Sequence, residues 1–578
     1  MQMKMRVIAG VVLGFVSAVA IAQKSPDFGP NVKLFNPSMN HDEMQQAIDK
    51  VYTEQQHAEF GSSRYAFLLM PGKYNLDIPV GFYTQVLGLG ASPDDVRVTG
   101  DVHADAASKN NNATTTFWRG VEGFSVVPAS GTMQWAVSQA IAARRMHVLG
   151  NMVLHQKRGW ASGGWLSDSL VDGTVDSGTQ QQWISRNTEW QQWTGSNWNM
   201  VFVGAEHAPE GEWPKPPFTK VATVPVVREK PFLQVDAKGN FSVRVPAIRE
   251  NSAGITWKKG STAGRSVPLS HFYIARPDRD TDITINAALD KGKDLLLLPG
   301  NYDLNTPIKI RKANTIVLGL GFATLRPVHG AEAMTVADVD GVTVSGLLFD
   351  AGTVASPSLL HVGTQGSKLR HKTNPISLHD VFFRVGGAGE GRTDANLVID
   401  SNDTIVDHTW IWRADHGHNV GWDKNQSNYG LVVHGNDVTI YGLFVEHHQK
   451  YQVLWAGERG RTYFYQSEIP YDPPTQAQWT DEKGAKGWAS YKVADNVREH
   501  EAWGLGIYSV FRFPDVVMDR AIEVPNTAGV KFHHMITVAL LDKGAILNVI
   551  NQTGGSTRTS SAGQPPRIEP KVTDYPAQ

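Results

Sequence analysis

Residues 341 to 350, GVTVSGLLFD, alternate apolar and polar positions, and three later stretches repeat the rhythm: PISLHDVFFR (375–384), DTIVDHTWIW (403–412) and DVTIYGLFVE (437–446). Each leaves a polar turn, alternates, and brings a large aromatic residue to nearly the same offset. Aligned on Thr343, Ser377, Thr404 and Thr439, they are spaced by 34, 27 and 35 residues. A period of two, bounded by Asn, Asp and Gly, predicts short strands. Strands recurring at such intervals, with loops of variable length between, predict the coils of a right-handed parallel β-helix. A jelly roll or a propeller accounts less simply for the recurring Asn-Asp turn.

A coarser repeat encloses this one. LLMPGKYNL (68–76) returns as LLLPGNYDL (296–304), and each is followed by VLGLG, at 86–90 and at 317–321. Helical segments precede both copies, HDEMQQAIDKV in the first and DITINAALDKG in the second. An offset of about 230 residues reads as internal duplication. The expected fold is therefore all-β, with two tandem right-handed parallel β-helices of the pectate-lyase kind packed side by side. The expected bounds are a first β-helix at 23–204, a Pro- and Lys-rich linker at 205–268, a second β-helix at 269–550 and a loosely ordered tail at 551–578. VLGLG lacks the spacing of a dinucleotide fingerprint and is read as a tight turn between coils.

Composition agrees with a turn-rich β protein: among 578 residues there are 55 Gly, and only 19% are charged. The formal net charge of -2 points away from nucleic acid. Lys4 and Arg6 precede an apolar run from Val7 to Ala20, and Ala20-Ile21-Ala22 supplies small residues for cleavage before Gln23. Residues 1–22 thus read as a signal peptide, and the mature chain as secreted or periplasmic rather than membrane-bound. With no Cys there are no disulfides, so stability must come from an extensive core. Seventeen Trp exceed the needs of a core, and sugar-ring stacking is one use for the surplus.

Candidate chemistry gathers at 445–474, VEHHQKYQVLWAGERGRTYFYQSEIPYDPP. Glu446 lies seven residues after Thr439, and Glu468 six after Thr462, so the two take nearly equivalent places on adjacent coils. Neighbouring strands are about 4.8 Å apart. With side-chain reach, that range of separations covers both geometries of glycoside hydrolysis. Tyr451, Trp455, Tyr463, Tyr465 and Tyr471 surround the pair, with Trp410, Trp412 and Trp422 on preceding coils. Apolar walls raise a carboxyl pKa, as a general acid requires, and they suit the flat faces of pyranose rings.

EHHQKYQVLW followed by SEIPYDPP resembles the paired segments of glycoside hydrolase family 55, the secreted β-1,3-glucanases or laminarinases. DHTWIWRADHG, YGLVVHGNDVTIYGLFVEH and AWGLGIYSVF resemble it too, and MQWAVSQAIAARRMHV with SGGWLSDS resembles its other active-site wall. The resemblance implies that Glu468 is the general acid and that Glu446 lies across the cleft, holding the hydrolytic water or the substrate. It implies that Gln139, with Gln134 as the alternative, and Ser162 position that water, and that hydrolysis inverts the anomeric centre. Trp410, Trp412, Tyr451, Trp455, Tyr463, Tyr471, Asp415 and His416 are the expected substrate-binding residues. Laminarinases more often carry a threonine where this chain has the serine of SEIPYDPP, and a different tail after the tyrosine, which leaves the glucan linkage open.

Two rival functions remain at this stage. Asp407, Asp415 and Arg413 are compatible with a lyase of uronic acid polymers, which would use Ca²⁺ and a basic residue. A non-catalytic glycan-binding β-helix is the other. His416-x-His418 has the geometry of a metal pair but no third ligand at telling spacing, so no metal or other cofactor is implied. The chain is expected to act as a monomer on a polysaccharide or oligosaccharide.

Overall fold

The structure, a computed structural model, describes residues 26–513, 515–558 and 567–577; the expected signal peptide lies outside them. Two parallel β-helices account for most of the chain. The first carries a nine-stranded parallel sheet, the second a twelve-stranded one, and each is backed by an eight-stranded sheet. The duplication shows at atomic detail. An α-helix opens each half, His41–Gln55 capped by Asn40 and Asp282–Asp290 capped by Thr281. In both Pro-Gly turns the glycine has positive φ, 144° at Gly72 and 153° at Gly300, and a Cβ there would strike Pro37 or Pro277. Tyr74 and Tyr302 each donate to two backbone carbonyls, those of Phe35 and Met70 in one half and of Ala275 and Leu298 in the other.

Four strands of the twelve-stranded sheet carry the residues of interest: β1 (Ile405–Arg413), β2 (Thr439–Glu446), β3 (Gly460–Glu468) and β4 (His500–Ser509). Their register corrects the sequence alignment by one residue in two places. Ile405 pairs with Thr439 and Thr439 with Arg461, so Thr404 and Thr462 are each displaced from the row. The Thr404 hydroxyl instead donates to the Ser401 carbonyl and closes the preceding turn. With that correction Glu446 and Glu468 are direct partners rather than near-equivalents.

Every long strand of this sheet bends at one rung. Gly346, Asp380, His408, Gly442, Phe464, Gly504 and His534 form a row of left-handed residues, with φ between 48° and 75°. Beyond the row the strands alternate, and Leu348, Phe382, Trp410 and Phe444 pack at the seam with the first β-helix. VLGLG lies wholly in strand at 317–321, and at 86–90 its first three residues are strand, so neither copy is simply the expected turn. Its middle glycines permit close packing, because a Cβ at Gly88 or Gly319 would meet the backbone of Gly123 or Gly346.

The seam between the β-helices is apolar over much of its area, where Phe382, Trp410 and Phe444 join Trp118 and Trp165. At its centre lies an ionic network. Arg144 binds Asp380 at 2.8 Å and Asp407 at 2.7 Å, and Arg186 binds Asp407 at 2.8 Å and Glu229 at 2.6 Å. Lys230 binds Glu122 and Asp380, and no side chain in the network is more than 4% exposed. Satisfied charges at such depth fix relative position more than they add stability.

Residues 205–268 are more structured than a linker. Phe218–Val221 continues the first nine-stranded sheet, and Val224–Arg228 pairs antiparallel with Ile248–Ser252. Phe232–Val235, Phe241–Pro246 and Gly264–Pro268 form a second antiparallel sheet. Strands this short carry too few periods to stand out among prolines. In the tail, Lys571–Tyr575 pairs antiparallel with Val530–Ala539, a correction to the expectation of loose order.

Candidate active site

A cavity of about 240 Å³ opens at the seam. Its floor comes from the second β-helix. Glu446 ends β2 and Glu468 ends β3, side by side in register, so both carboxyls leave the same face. Glu446 therefore does not lie across the cleft from Glu468 as expected. Gln139 and Ser162 occupy the facing wall, and Thr114, Thr115, Phe117 and Gln181 complete it.

The walls meet at Glu446. Gln139 Nε2 donates to its Oε1 at 3.0 Å across the seam, and Trp410 Nε1 donates to its Oε2 at 2.9 Å. The Gln139 backbone is left-handed, with φ of 42°, a strained conformation of the kind held at functional sites. Its N–H donates to the Gly163 carbonyl, and Ser138 Oγ and the Gln182 amide fix the backbone of Ser162. Gln139 Oε1 has no protein partner. Gln134, the alternative, donates to Asp105 and does not line the cavity.

Trp410 and Trp412 stack at 4.8 Å, with Phe117 against Trp410 at 4.7 Å. Tyr471 donates to Glu468 Oε2 and packs its ring edge-on to His447. Its loop is held by Arg413, which binds both oxygens of Asp472 at 3.0 Å. Asp415 and His416 line the cavity as well. His416 sits between two carboxylates, Asp415 at 2.9 Å and Glu59 at 2.6 Å, the latter from the first β-helix.

Protonation separates the three carboxyls. Burial pushes Glu446 up to about 7, Asp415 adds to the rise, and the nearby Gln466 amide and the hydrogen bonds from Trp410 and Gln139 oppose it. Burial, then the neighbouring Glu446 and Asp415, hold Glu468 well above the usual carboxylate range and favour its protonated form. Burial also works against an ionised Asp415, but the His416 hydrogen bond and the charges of His447 and His416 bring it down to about 2. His416 rises to about 10, burial being outweighed by Asp415 and Glu59. One carboxyl raised well above its usual range, one raised to about 7 and one held near 2 thus share a small, aromatic-walled pocket, an arrangement suited to acid-assisted hydrolysis.

Three expected substrate-binding residues lie elsewhere. Trp455 is wholly buried in the core of the second β-helix, against His500 at 4.7 Å. Tyr463 is stacked between Tyr441 and Trp503 at the seam, away from the cavity. Tyr451 packs at the outer edge against Trp488 and Tyr429. Asp407, a lyase candidate, is sealed in the ionic network. Among the described residues no group of three or more His, Asp or Glu is arranged to hold a metal ion.

A profile of the LAM55 pectate lyase-like domain matches residues 272–468. An exo-β-1,3-glucanase of Streptomyces sp. (strain SirexAA-E / ActE) is 48% identical over 534 residues, which is 92% of this chain and 87% of that protein. The chain belongs to glycoside hydrolase family 55. A solved family 55 structure, sacteLam55A from Streptomyces sp. SirexAA-E, superposes with a TM-score of 0.92 at 47% identity, covering 95% of this chain and 99% of that one. A variant of the same protein, solved in complex with glucose, gives a TM-score of 0.92 at 46% identity, covering 96% of this chain and 99% of that one. Membership makes the chain a glycoside hydrolase on a parallel β-helix scaffold.

Proposed function

We propose that this hydrolase removes single glucose units from the end of a β-1,3-glucan, with inversion. The observation that carries the reading is the in-register pair of buried glutamates, both raised above the usual carboxylate range, on the floor of a small pocket, in a chain 48% identical to an exo-β-1,3-glucanase. A cavity of about 240 Å³ is smaller than the ~300–1,000 Å³ clefts that take larger ligands and suits one pyranose ring, with Trp410, Trp412 and Phe117 in its lining.

Glu468 gives its proton to the glycosidic oxygen as the bond to C1 breaks. Water held by Gln139 Oε1 and Ser162 attacks C1 from the other face, and its proton passes to Glu446. The new C1–O bond replaces the old one with opposite configuration, and solvent exchange restores both glutamates. Gln139 couples the water site to Glu446 through the hydrogen bond it already makes. Both walls come from one chain, so a monomer suffices. Export by residues 1–22 would bring the enzyme to polymeric glucan outside the cell.

Proton NMR of the first turnover on a β-1,3-oligoglucoside tests this. The expected first product is α-glucose, with no larger sugar released. An initial β-anomer would require a covalent intermediate and overturn the assignment, and early release of oligosaccharides would overturn the exo mode.

A further inference from the structure

Glu446 has a neighbour that the mechanism so far leaves idle. Trp410 reaches Glu446 from the preceding coil, two residues before the direct partner Trp412. Gln466 occupies the same diagonal on the following coil, two residues before the direct partner Glu468. Diagonal neighbours on one sheet face are within reach of long side chains. Trp410 uses that reach, and Gln466 does not. The Gln466 side chain is 0% exposed, and neither its Nε2 nor its Oε1 has a hydrogen-bond partner. It faces the Glu446 carboxyl without a hydrogen bond of good geometry, close enough to favour the ionised form.

The coil beyond repeats the theme. Gln466 pairs with Gly506, and the Tyr508 phenol folds back over Gly506 into the space a side chain would fill. Tyr508 is 1% exposed, and its hydroxyl is also without a partner. Two adjacent buried polar groups, both unsatisfied, are costly in a packed seam and call for a reason.

We propose that Gln466, backed by the Tyr508 hydroxyl, is a positioning residue that turns its amide N–H onto Glu446 when that carboxyl is ionised. The Tyr508 O–H then donates to Gln466 Oε1. Glu446 alternates between neutral and charged in each turnover, and Trp410 and Gln139 already serve both of its oxygens. A third donor held in reserve stabilises the charged state alone. This inference rests on the reading in which Glu446 takes the proton of water. The titratable groups facing Glu446 are Glu468, Asp415, His447 and Tyr465, all from the second β-helix, and the first β-helix presents only uncharged residues to the cavity.

The test is the pH profile of kcat/KM on a β-1,3-oligoglucoside for wild type, Gln466→Met, Tyr508→Phe and Glu446→Gln. Methionine keeps the shape of glutamine and removes both polar atoms. The acid limb of Gln466→Met should move to higher pH by about one unit or more, since a hydrogen bond to a charged group is lost. Above that limb its rate should return to within about threefold of wild type, and its urea midpoint should be unchanged or higher, because an unsatisfied buried group is gone. Tyr508→Phe should shift the limb the same way by less. A uniform loss at every pH, or an unmoved limb in either variant, would overturn the proposal. If Gln466→Met does not fold, Tyr508→Phe decides alone. Should Glu446→Gln retain the acid limb, the reading of Glu446 itself fails, whatever Gln466 does.

Discussion

Glu468→Gln separates proton donation from every other task of the pocket. Glutamine keeps the size of the side chain, and its carbonyl oxygen accepts from Tyr471 as the carboxyl does. Burial and the flanking Glu446 and Asp415 favour the protonated form of Glu468, and the substitution replaces that form by another neutral group and removes only a transferable proton. General acid catalysis contributes about 10²- to 10⁴-fold, equivalent to about 3–5 kcal/mol of barrier. With natural glucan as substrate, kcat should fall by that factor while KM stays within about twofold.

The decisive comparison uses a second substrate. An aryl β-glucoside with an acidic phenol leaves without protonation, so the same variant should lose less than about tenfold on it. Initial rates of glucose release and phenolate release measure the two. Equal losses on both substrates would falsify the assignment of Glu468 as the acid, and an unchanged kcat on glucan would remove it from the chemistry.

Glu446→Gln should lose activity on both substrates, because water must be deprotonated whichever group leaves. It should also gain stability at high pH. Below about 4.5 folded and unfolded wild type both hold the proton, and between about 4.5 and 7 the unfolded chain loses it first, so wild-type stability falls with rising pH. Relative to wild type, the urea-derived stability of Glu446→Gln should therefore rise by about 3 kcal/mol from pH 4 to pH 8, and a flat difference would refute the placement of this carboxyl. Trp455→Ala should cost about 3–5 kcal/mol of stability and leave KM for glucan unchanged, whereas Trp412→Ala should raise KM. Matching KM effects at the two sites would mean that Trp455 reaches substrate after all.

The sequence carried the duplication and the coils because both leave local marks: a Pro-Gly turn before a buried Tyr, and a period of two. It carried the glutamate pair because a repeat unit aligned within one residue still places two carboxyls on neighbouring rungs. It misplaced the aromatic residues for a definite reason. Trp455 lies only nine residues after Glu446, yet a corner separates them, and Val453–Trp455 belongs to the opposite sheet with its rings turned inward. Proximity in sequence became distance in space. Phe117, Thr114 and Gln181 were missed for the converse reason, since they share a cavity with Glu446 only across the seam and lie outside the segments that resemble the family's other wall. The ionic network was equally hidden, because Arg144 and Asp380 are 236 residues apart.

That division between the halves bears on stereochemistry. Partner residues on adjacent strands lie about 4.8 Å apart, a separation near the ~5–5.5 Å of carboxyl pairs in retaining enzymes. That spacing is one of backbones, and side-chain reach opens it to either geometry, so two glutamates on one sheet do not by themselves fix the stereochemistry. The second β-helix borrows a wall. Gln139 and Ser162 enter from the first β-helix, at a distance set by the packing of two solenoids rather than by a hydrogen-bonded ladder. The buried charges of Arg144, Arg186, Lys230, Asp380 and Asp407 then have a catalytic consequence without touching substrate. They hold the seam at the spacing in which Gln139 reaches Glu446 at 3.0 Å, and in the proposed mechanism that spacing sets the side of the sugar ring from which water attacks.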